Sequence, residues 1–380
     1  MNNVLILQRI LPHYRTPFLK LLHDKLADSD ISLKLVYGNE YPDTVPKTTR
    51  TSYPWTRFHA NKYIKFSQNH HAVWQGLAKE IFSADLIIIE QANRLLINYL
   101  LLLYCKLPFV KTKLAFWGHG QNMQAESIHS LRSRIKRTYS LAVDWWFAYT
   151  ELSANIIAIQ GFPENKITTV NNTIDTNTFS LSLSKLNEKD AITLRHKLGI
   201  TGNDLCLYCG GLYPDKKIDF LIQASQYIHA ENPEFELIII GSGPDQHIVE
   251  TAAAKLSWLH YVGPKFGDER AQYFNAAKLF LMPGLVGLAI IDSFIAQTPM
   301  ITTNIPIHSP EIAYLDNGAN GIMSEYDEKK YAASVNRCLK DPETLNNLRT
   351  GCYNSAQKYT LDNMVSNFAQ GILGCLNNRS

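Results

Sequence analysis

Residues 278–311, KLFLMPGLVGLAIIDSFIAQTPMITTNIPIHSPE, decide the fold. Lys278–Met282 is an apolar run of strand length, and Pro283-Gly284 turns the chain after it. A small-residue helix begins near Gly287, Asp292 falls in its second turn, and Met300–Thr303 is a second buried strand. Strand, crossover helix and strand make the unit from which parallel sheets are built. Glycines that open a helix after a strand leave backbone N–H groups free to bind phosphate. A carboxylate one turn later is placed to accept hydrogen bonds from a sugar diol. Together these features suit a sugar joined to a diphosphate.

Outward from this segment the same alternation continues. In the first half, Val4–Leu7, Ser32–Val36, Leu86–Glu90, Leu114–Trp117, Trp145–Ala148 and Ile167–Val170 read as strands. In the second half the strands are Leu205–Cys209, Leu237–Ile240, His260–Val262, Leu279–Met282, Met300–Thr303 and Gly321–Met323. Continuous apolar runs separated by helical patterns mean parallel strands covered on both faces. Two such series predict an α/β chain of two doubly wound, Rossmann-like domains. The polar stretch Ser180–Lys189 is the expected linker, so the domains are placed at 1–185 and 186–360, followed by a helix from 361. A length of 380 residues and a hydrophobic content of 46% suit two buried cores.

Composition excludes several classes. Leu95–Cys105, LLINYLLLLYC, is too short to span a bilayer and reads as a buried helix. The opening MNNVLILQRILPHYR reads as a first strand and not as a signal peptide, so a cytoplasmic protein is expected. Cys206 and Cys209 are spaced C-x-x-C but lie inside one strand with no second pair, which gives no zinc motif. A net charge of +3 is too small for nucleic-acid binding. Gly241-Ser242-Gly243-Pro244 begins like a dinucleotide fingerprint. It is interrupted by Pro244, and no acidic residue ends a strand about 20 residues later, as a ribose would require.

Four further segments carry chemistry. Cys209-Gly210-Gly211-Leu212-Tyr213-Pro214-Asp215-Lys216-Lys217 follows a strand, with glycines that permit close backbone approach and a lysine able to reach a diphosphate. Phe116-Trp117-Gly118-His119-Gly120 puts a histidine between two glycines at a strand end. His13, Tyr14 and Arg15 are polar residues just before a helix start at Thr16-Pro17. In 126–143, Ile128, Leu131, Ile135, Tyr139 and Ala142 form a helical stripe, with Arg132, Arg134, Lys136 and Arg137 largely off it. That helix is either core-facing with a solvated basic face, or a patch for anionic lipid or a lipid-diphosphate acceptor.

In this order the motifs resemble those of retaining family-4 glycosyltransferases of the GT-B fold, in which two Rossmann-like domains face a central cleft. The usual text of that family is G-R-L-x-x-x-K-G at 210–217, E-x7-E at 284–292, and N-G-V-D-x-x-x-F at 172–179. Here Gly211 stands for the arginine, Gly284 for the first glutamate, Asp292 for the second and Thr173 for the glycine. The resemblance implies transfer of a sugar from a nucleoside diphosphate sugar, with uridine as the base expected from the broader family, to a hydroxyl of a lipid-linked surface glycan. It implies that no metal or other cofactor is needed, the leaving diphosphate itself serving in retention. Lys216 and the N–H groups near Val286, Gly287 and Leu288 would hold the donor's phosphates in a site that includes Gly210, Gly211 and Gly284, with Asp292 on its ribose and His119 on its sugar. His13, Tyr14 and Arg15 would shape the acceptor side, Glu311 would lie at the end of the cleft, and the last helix, 361–380, would return to the first domain. A different class, a non-catalytic sugar-nucleotide-binding or scaffolding subunit, is suggested by Gly211 and Gly284. A donor epimerase of the same fold is a third reading.

Overall fold

The computed structural model describes residues 1–42, 48–66, 71–120 and 138–378. The chain divides into two compact units, Met1–Ile174 with Leu361–Ser380, and Asp175–Thr360.

The first unit holds β1 (Asn2–Ile10), β2 (Ile31–Gly38), β3 (Thr56–Phe58), β4 (Lys62–Lys65), β5 (His71–Trp74), β6 (Leu86–Glu90), β7 (Lys113–Gly118), β8 (Trp145–Ala148) and β9 (Ile167–Thr169). Seven of these form one parallel sheet in the order β3-β2-β1-β6-β7-β8-β9, while β4 and β5 pair antiparallel. Strand order reverses between β1 and β6, so the loops after these strands flank the crevice where doubly wound sheets bind ligands. Every run read as a strand from the sequence is one. The sequence reading missed β3, β4 and β5, which are short and partly exposed and lack the apolar run of a central strand.

One face of this sheet is closed by the helix Leu361–Asn377. Leu361, Met364, Val365, Phe368, Ile372 and Cys375 recur at three- and four-residue spacing and are all buried. Phe368 stacks on Phe147 with ring centroids 4.3 Å apart, and meets Trp117 at 4.9 Å and Phe18 at 5.3 Å edge-on. Lys113 Nζ donates to the Cys375 carbonyl at 2.7 Å, satisfying the end of the helix.

The second unit holds β10 (Asp204–Cys209), β11 (Phe235–Ile240), β12 (Leu259–Tyr261), β13 (Leu279–Leu281), β14 (Met300–Thr303) and β15 (Gly321–Ser324). They form a parallel sheet in the order β12-β11-β10-β13-β14-β15. Here the reversal lies between β10 and β13, so the loops after Cys209 and Leu281 flank the binding crevice.

The stretch 180–189 expected as a linker is instead part of the second unit. Thr176–Ser184 is a helix capped by Asp175, whose Oδ1 accepts from Thr178 N at 3.1 Å. Asn187 and Asp190 form the capping box of the next helix, Glu188–Leu198. The serines that suggested a linker follow Phe179 in the same helix, and Phe179 is buried against Phe274 at 5.5 Å. The units therefore separate at Ile174, earlier than the sequence suggested. The basic positions Arg132–Arg137 lie outside the described residues. Tyr139, from the same predicted helix, packs on Phe116 at 4.9 Å.

Phe368→Ala removes the ring shared by Phe18, Trp117 and Phe147, and truncations of this kind cost about 3–5 kcal/mol. Urea unfolding followed by tryptophan fluorescence should show the first unit melting earlier. An unchanged midpoint would contradict the place given to this helix in the core.

Candidate functional site

In the second unit the two loops at the sheet reversal are stitched together. Cys209 ends β10, and the chain is held by Gly210 N to Ile240 O at 3.0 Å and Leu212 N to Ser242 O at 3.0 Å. Gly243 is at φ +154°, and a Cβ there would sit 2.2 Å from the Leu212 carbonyl oxygen. The glycines of Gly241-Ser242-Gly243 thus let this segment lie against the 210–212 backbone. A short helical turn, Pro214–Lys216, then brings Lys216 inward. Its ammonium donates to the Leu285 carbonyl at 2.5 Å and lies 3.8 Å from Met282 Sδ. Burial pulls the Lys216 pKa down to about 8, with Asp215 and Cys209 acting the other way.

Leu285 N donates back to the Asp215 carbonyl at 2.8 Å. Gly284 is what permits this approach. A Cβ at Gly284 would lie 2.2 Å from the Lys216 carbonyl carbon and 2.5 Å from the Asp215 oxygen. Glycine is required here by lack of space, not by an unusual backbone angle. At Gly211, where the family has arginine, a Cβ would meet the Tyr213 ring at 2.7 Å.

The N–H groups expected to bind phosphate divide into two sets. Val286 N donates to His308 Nδ1 at 3.0 Å, so it is already engaged. His308 Nε2 lies 2.6 Å from the Thr303 carbonyl. A carbonyl only accepts, so the proton is on Nε2 and the ring is neutral, consistent with a pKa lowered by burial. The Val286 carbonyl accepts from Ser309 N at 2.9 Å. Gly287 and Leu288 N–H have no hydrogen-bond partner among the described residues and stay available before the helix Ala289–Ile295. Glu311 is buried in the short helix Pro310–Tyr314.

Asp292 is not a free acceptor. Its Oδ2 accepts from Arg270 Nη1 at 2.9 Å and its Oδ1 from Arg270 Nη2 at 3.0 Å. Burial raises its pKa to about 6, outweighing the arginine. Sequence reasoning missed both Arg270 and His308. Arg270 follows a glycine-opened helix start, Gly267, in the loop after β12, but no spacing ties it to Asp292.

In the first unit His119 and Arg15 come together on one ring, that of Tyr149. His119 stacks on Tyr149 with centroids 5.8 Å apart and planes at 18°. Its Nδ1 is buried without a partner among the described residues, and burial lowers its pKa, favouring the neutral imidazole. Gln91 pins the loop, accepting from Gly120 N at 2.9 Å and donating to Gly120 O at 3.1 Å. Arg15, expected to help shape the acceptor side, is buried. Its Nη2 donates to Tyr149 Oη at 2.8 Å, and its guanidinium lies 4.2 Å over the Trp117 ring. Tyr149, Tyr14 and Glu90 outweigh the burial that disfavours its charge. His13 is exposed and Tyr14 half-buried beside it, ring to ring at 6.0 Å. Tyr149 and Gln91 are the residues missed here.

All six cysteines are free thiols, and burial pushes Cys209 up to about 12, so the C-x-x-C pair carries no reactive thiolate. Among the described residues no group of three or more His, Cys, Asp or Glu side chains is placed to hold a metal ion, and no helix is long and apolar enough to cross a membrane.

Residues 203–341 match the family described as glycosyl transferases group 1. The chain is 23% identical over 221 residues, 54% of its length and 49% of the relative's, to D-inositol 3-phosphate glycosyltransferase of Thermobispora bispora. It is 27% identical over 200 residues, 50% of each chain, to the capsular polysaccharide biosynthesis glycosyltransferase CapM of Staphylococcus aureus. The chain thus spans about half the length of the curated relatives it matches. The crystal structure of Anabaena HepE in complex with UDP superposes with a TM-score of 0.70 at 14% identity, over 98% of this chain and 100% of that one. The fold is therefore the GT-B fold that the motifs indicated, and residues 203–341 are similar to the group 1 glycosyltransferases.

Two outcomes follow from the loop geometry. A bound phosphate would replace the water that Lys216 has lost and lift its pKa from about 8 towards the ordinary lysine value of about 10.4. Nucleotide binding near pH 9 should therefore take up a proton, and affinity should fall as pH rises through about 8. Calorimetry in buffers of different ionisation heat measures the uptake, and Lys216→Met should abolish it. Gly284→Glu should weaken nucleotide binding and lower thermal stability by about 1–3 kcal/mol, because the side chain displaces the 214–217 turn. A faster transfer rate in Gly284→Glu would show that the glycine is a lost glutamate.

Proposed function

We propose that this protein is a retaining glycosyltransferase that moves a hexose or acetamido-hexose from a nucleoside diphosphate sugar, with uridine as the base, to a hydroxyl of a growing, lipid-linked surface glycan. The observation that carries the reading is the stitched pair of loops at the β10/β13 reversal. It holds one buried ammonium, Lys216, on the Leu285 carbonyl, and the N–H groups of Gly287 and Leu288, two and three residues further on, have no partner among the described residues. A diphosphate is the ligand that such a pairing suits. The relatives support the sugar-nucleotide side of this reading. HepE has been crystallised with UDP, with UDP and glucose, and with UDP-glucose, and CapM is a capsular polysaccharide enzyme.

In this reading the bond from the sugar C1 to the diphosphate oxygen lengthens as negative charge gathers on the diphosphate. Lys216 and the two N–H groups stabilise that charge as it develops. The acceptor hydroxyl adds to C1 on the face the diphosphate leaves, and its proton passes to a diphosphate oxygen. No protein base or metal is required. His119, neutral and with Nδ1 unpartnered among the described residues, hydrogen-bonds a hydroxyl of the transferred sugar. His13 and Tyr14 border the acceptor. A lipid-linked acceptor places the protein at the cytoplasmic face of the cell membrane, where the basic segment 126–143 would meet anionic lipid.

The test is turnover. Incubation with UDP-glucose or UDP-N-acetylglucosamine should release UDP slowly without acceptor. With a lipid-linked acceptor it should give a product whose anomeric proton keeps the donor configuration by NMR. Tight nucleotide binding without UDP release would favour a scaffolding subunit instead. His119→Ala should lower kcat at least about tenfold, the loss of one hydrogen bond in the transition state, with UDP affinity nearly unchanged. Equal loss of UDP affinity would put His119 on the nucleotide.

A further inference from the structure

The pair Arg270–Asp292 is unexplained by a ribose-binding carboxylate. Asp292 is one methylene shorter than the glutamate usual at its position, both its oxygens are bonded to Arg270, and its side chain is 6% exposed. The arginine is the accessible half, with 25% of its side chain exposed. A guanidinium has five N–H donors, and the two bonds to Asp292 use one on each Nη. One further donor remains on each Nη, on opposite edges of the guanidinium, and the one on the Nε edge makes with Nε–H the side-on fork that suits phosphate. Nε is buried and has no partner among the described residues. The guanidinium is fixed on its other side by Phe179, whose ring centroid lies 4.5 Å from the central carbon. It is therefore held in one orientation before any ligand arrives.

Its location matches the gap in the glycine motif. The Cys209 thiol, at the end of β10 and beside Gly210-Gly211, lies within electrostatic reach of Arg270, Asp292 and Lys216. Asp292 ties Arg270 to the helix Ala289–Ile295, which follows directly on Gly287 and Leu288, and Arg270 and Lys216 both act on Cys209, two residues before position 211. At that position Tyr213 fills the space.

We propose that Arg270 is the second cation on the donor diphosphate, supplying from the helix Gly267–Ala276 the charge that Gly211 lacks, and that Asp292 is its positioning residue. Asp292 does not bind the ribose itself. The inference rests on the diphosphate donor proposed above and deepens it.

The experiment is calorimetric titration of the full chain with UDP, GDP and uridine, on the wild type and on Arg270→Gln, Arg270→Lys, Asp292→Asn and the double variant Arg270→Gln/Asp292→Asn. The double variant leaves a neutral, hydrogen-bonding pair in place of the buried charges, so it serves as the folded control should Arg270→Gln alone fail to fold. Loss of one charged hydrogen-bonding group should weaken UDP by roughly 10- to 150-fold, with uridine affinity unchanged and Arg270→Lys intermediate. Asp292→Asn should weaken UDP as well, and should add nothing to Arg270→Gln, since one acts through the other. Uridine affinity lost in Asp292→Asn would return the carboxylate to the ribose and overturn the inference. So would unchanged UDP affinity in Arg270→Gln or the double variant. If the wild type bound neither UDP nor GDP, the diphosphate donor itself would fall, a result distinct from either of these.

Discussion

The contact between Gly284 and the carbonyl of Lys216 is the constraint on which the second unit's site depends. It brings the loop after β13 against the loop after β10 with no side chain between them. Two hydrogen bonds then close the contact, Lys216 Nζ to Leu285 O and Leu285 N to Asp215 O. From there the stitching spreads: His308 and Ser309 take the two backbone groups of Val286, and the Thr303 carbonyl fixes the His308 ring. Lys216 is thus desolvated but not charge-neutralised, since its bonded partner is a carbonyl. A buried ammonium held by a dipole has more to gain from an arriving anion than one already paired with a carboxylate.

The contrast with Arg270 is instructive. That cation has a carboxylate and an aromatic face against it and keeps part of its side chain in solvent. One basic group is held ready by strain in its solvation, the other by geometry. The first unit uses the same economy of parts. Tyr149 is at once the hydrogen-bond partner of Arg15 and the stacking surface of His119, so the two loops following β1 and β7 are oriented by one ring.

Much of this fold was legible in the sequence because parallel strands covered on both faces must be apolar along their whole length. Runs such as Leu86–Glu90 and Met300–Thr303 have no other reading in that rhythm. Strands such as Lys62–Lys65, with one face in water, carry no such signal. The stretch 180–189 misled because the exposed face of an amphipathic helix and a linker have similar composition. Within the site, the glycines and Lys216 were legible from their place after strands. Their partners were not: Arg270, His308, Gln91 and Tyr149 are each distant in sequence from what they hold, and pairing across 22, 29 or 134 residues leaves no local pattern. The roles expected of Val286, Asp292 and Arg15 changed for that reason, since a group's availability depends on neighbours that spacing does not name.

The helix Leu361–Asn377 has a consequence for how the chain is made. It supplies buried residues to a core whose other members begin at Val4, and everything from Asp175 to Thr360 is synthesised between them. On a ribosome adding about 5–20 residues per second, the first unit waits on the order of ten to forty seconds with Phe18, Trp117 and Phe147 lacking the ring that covers them. The second unit is continuous and can close while still tethered. This helix leaves the ribosome after the whole of the second unit and is the piece that lets the first unit finish folding, so a chain cut before Leu361 would hold one finished unit joined to one with an open core.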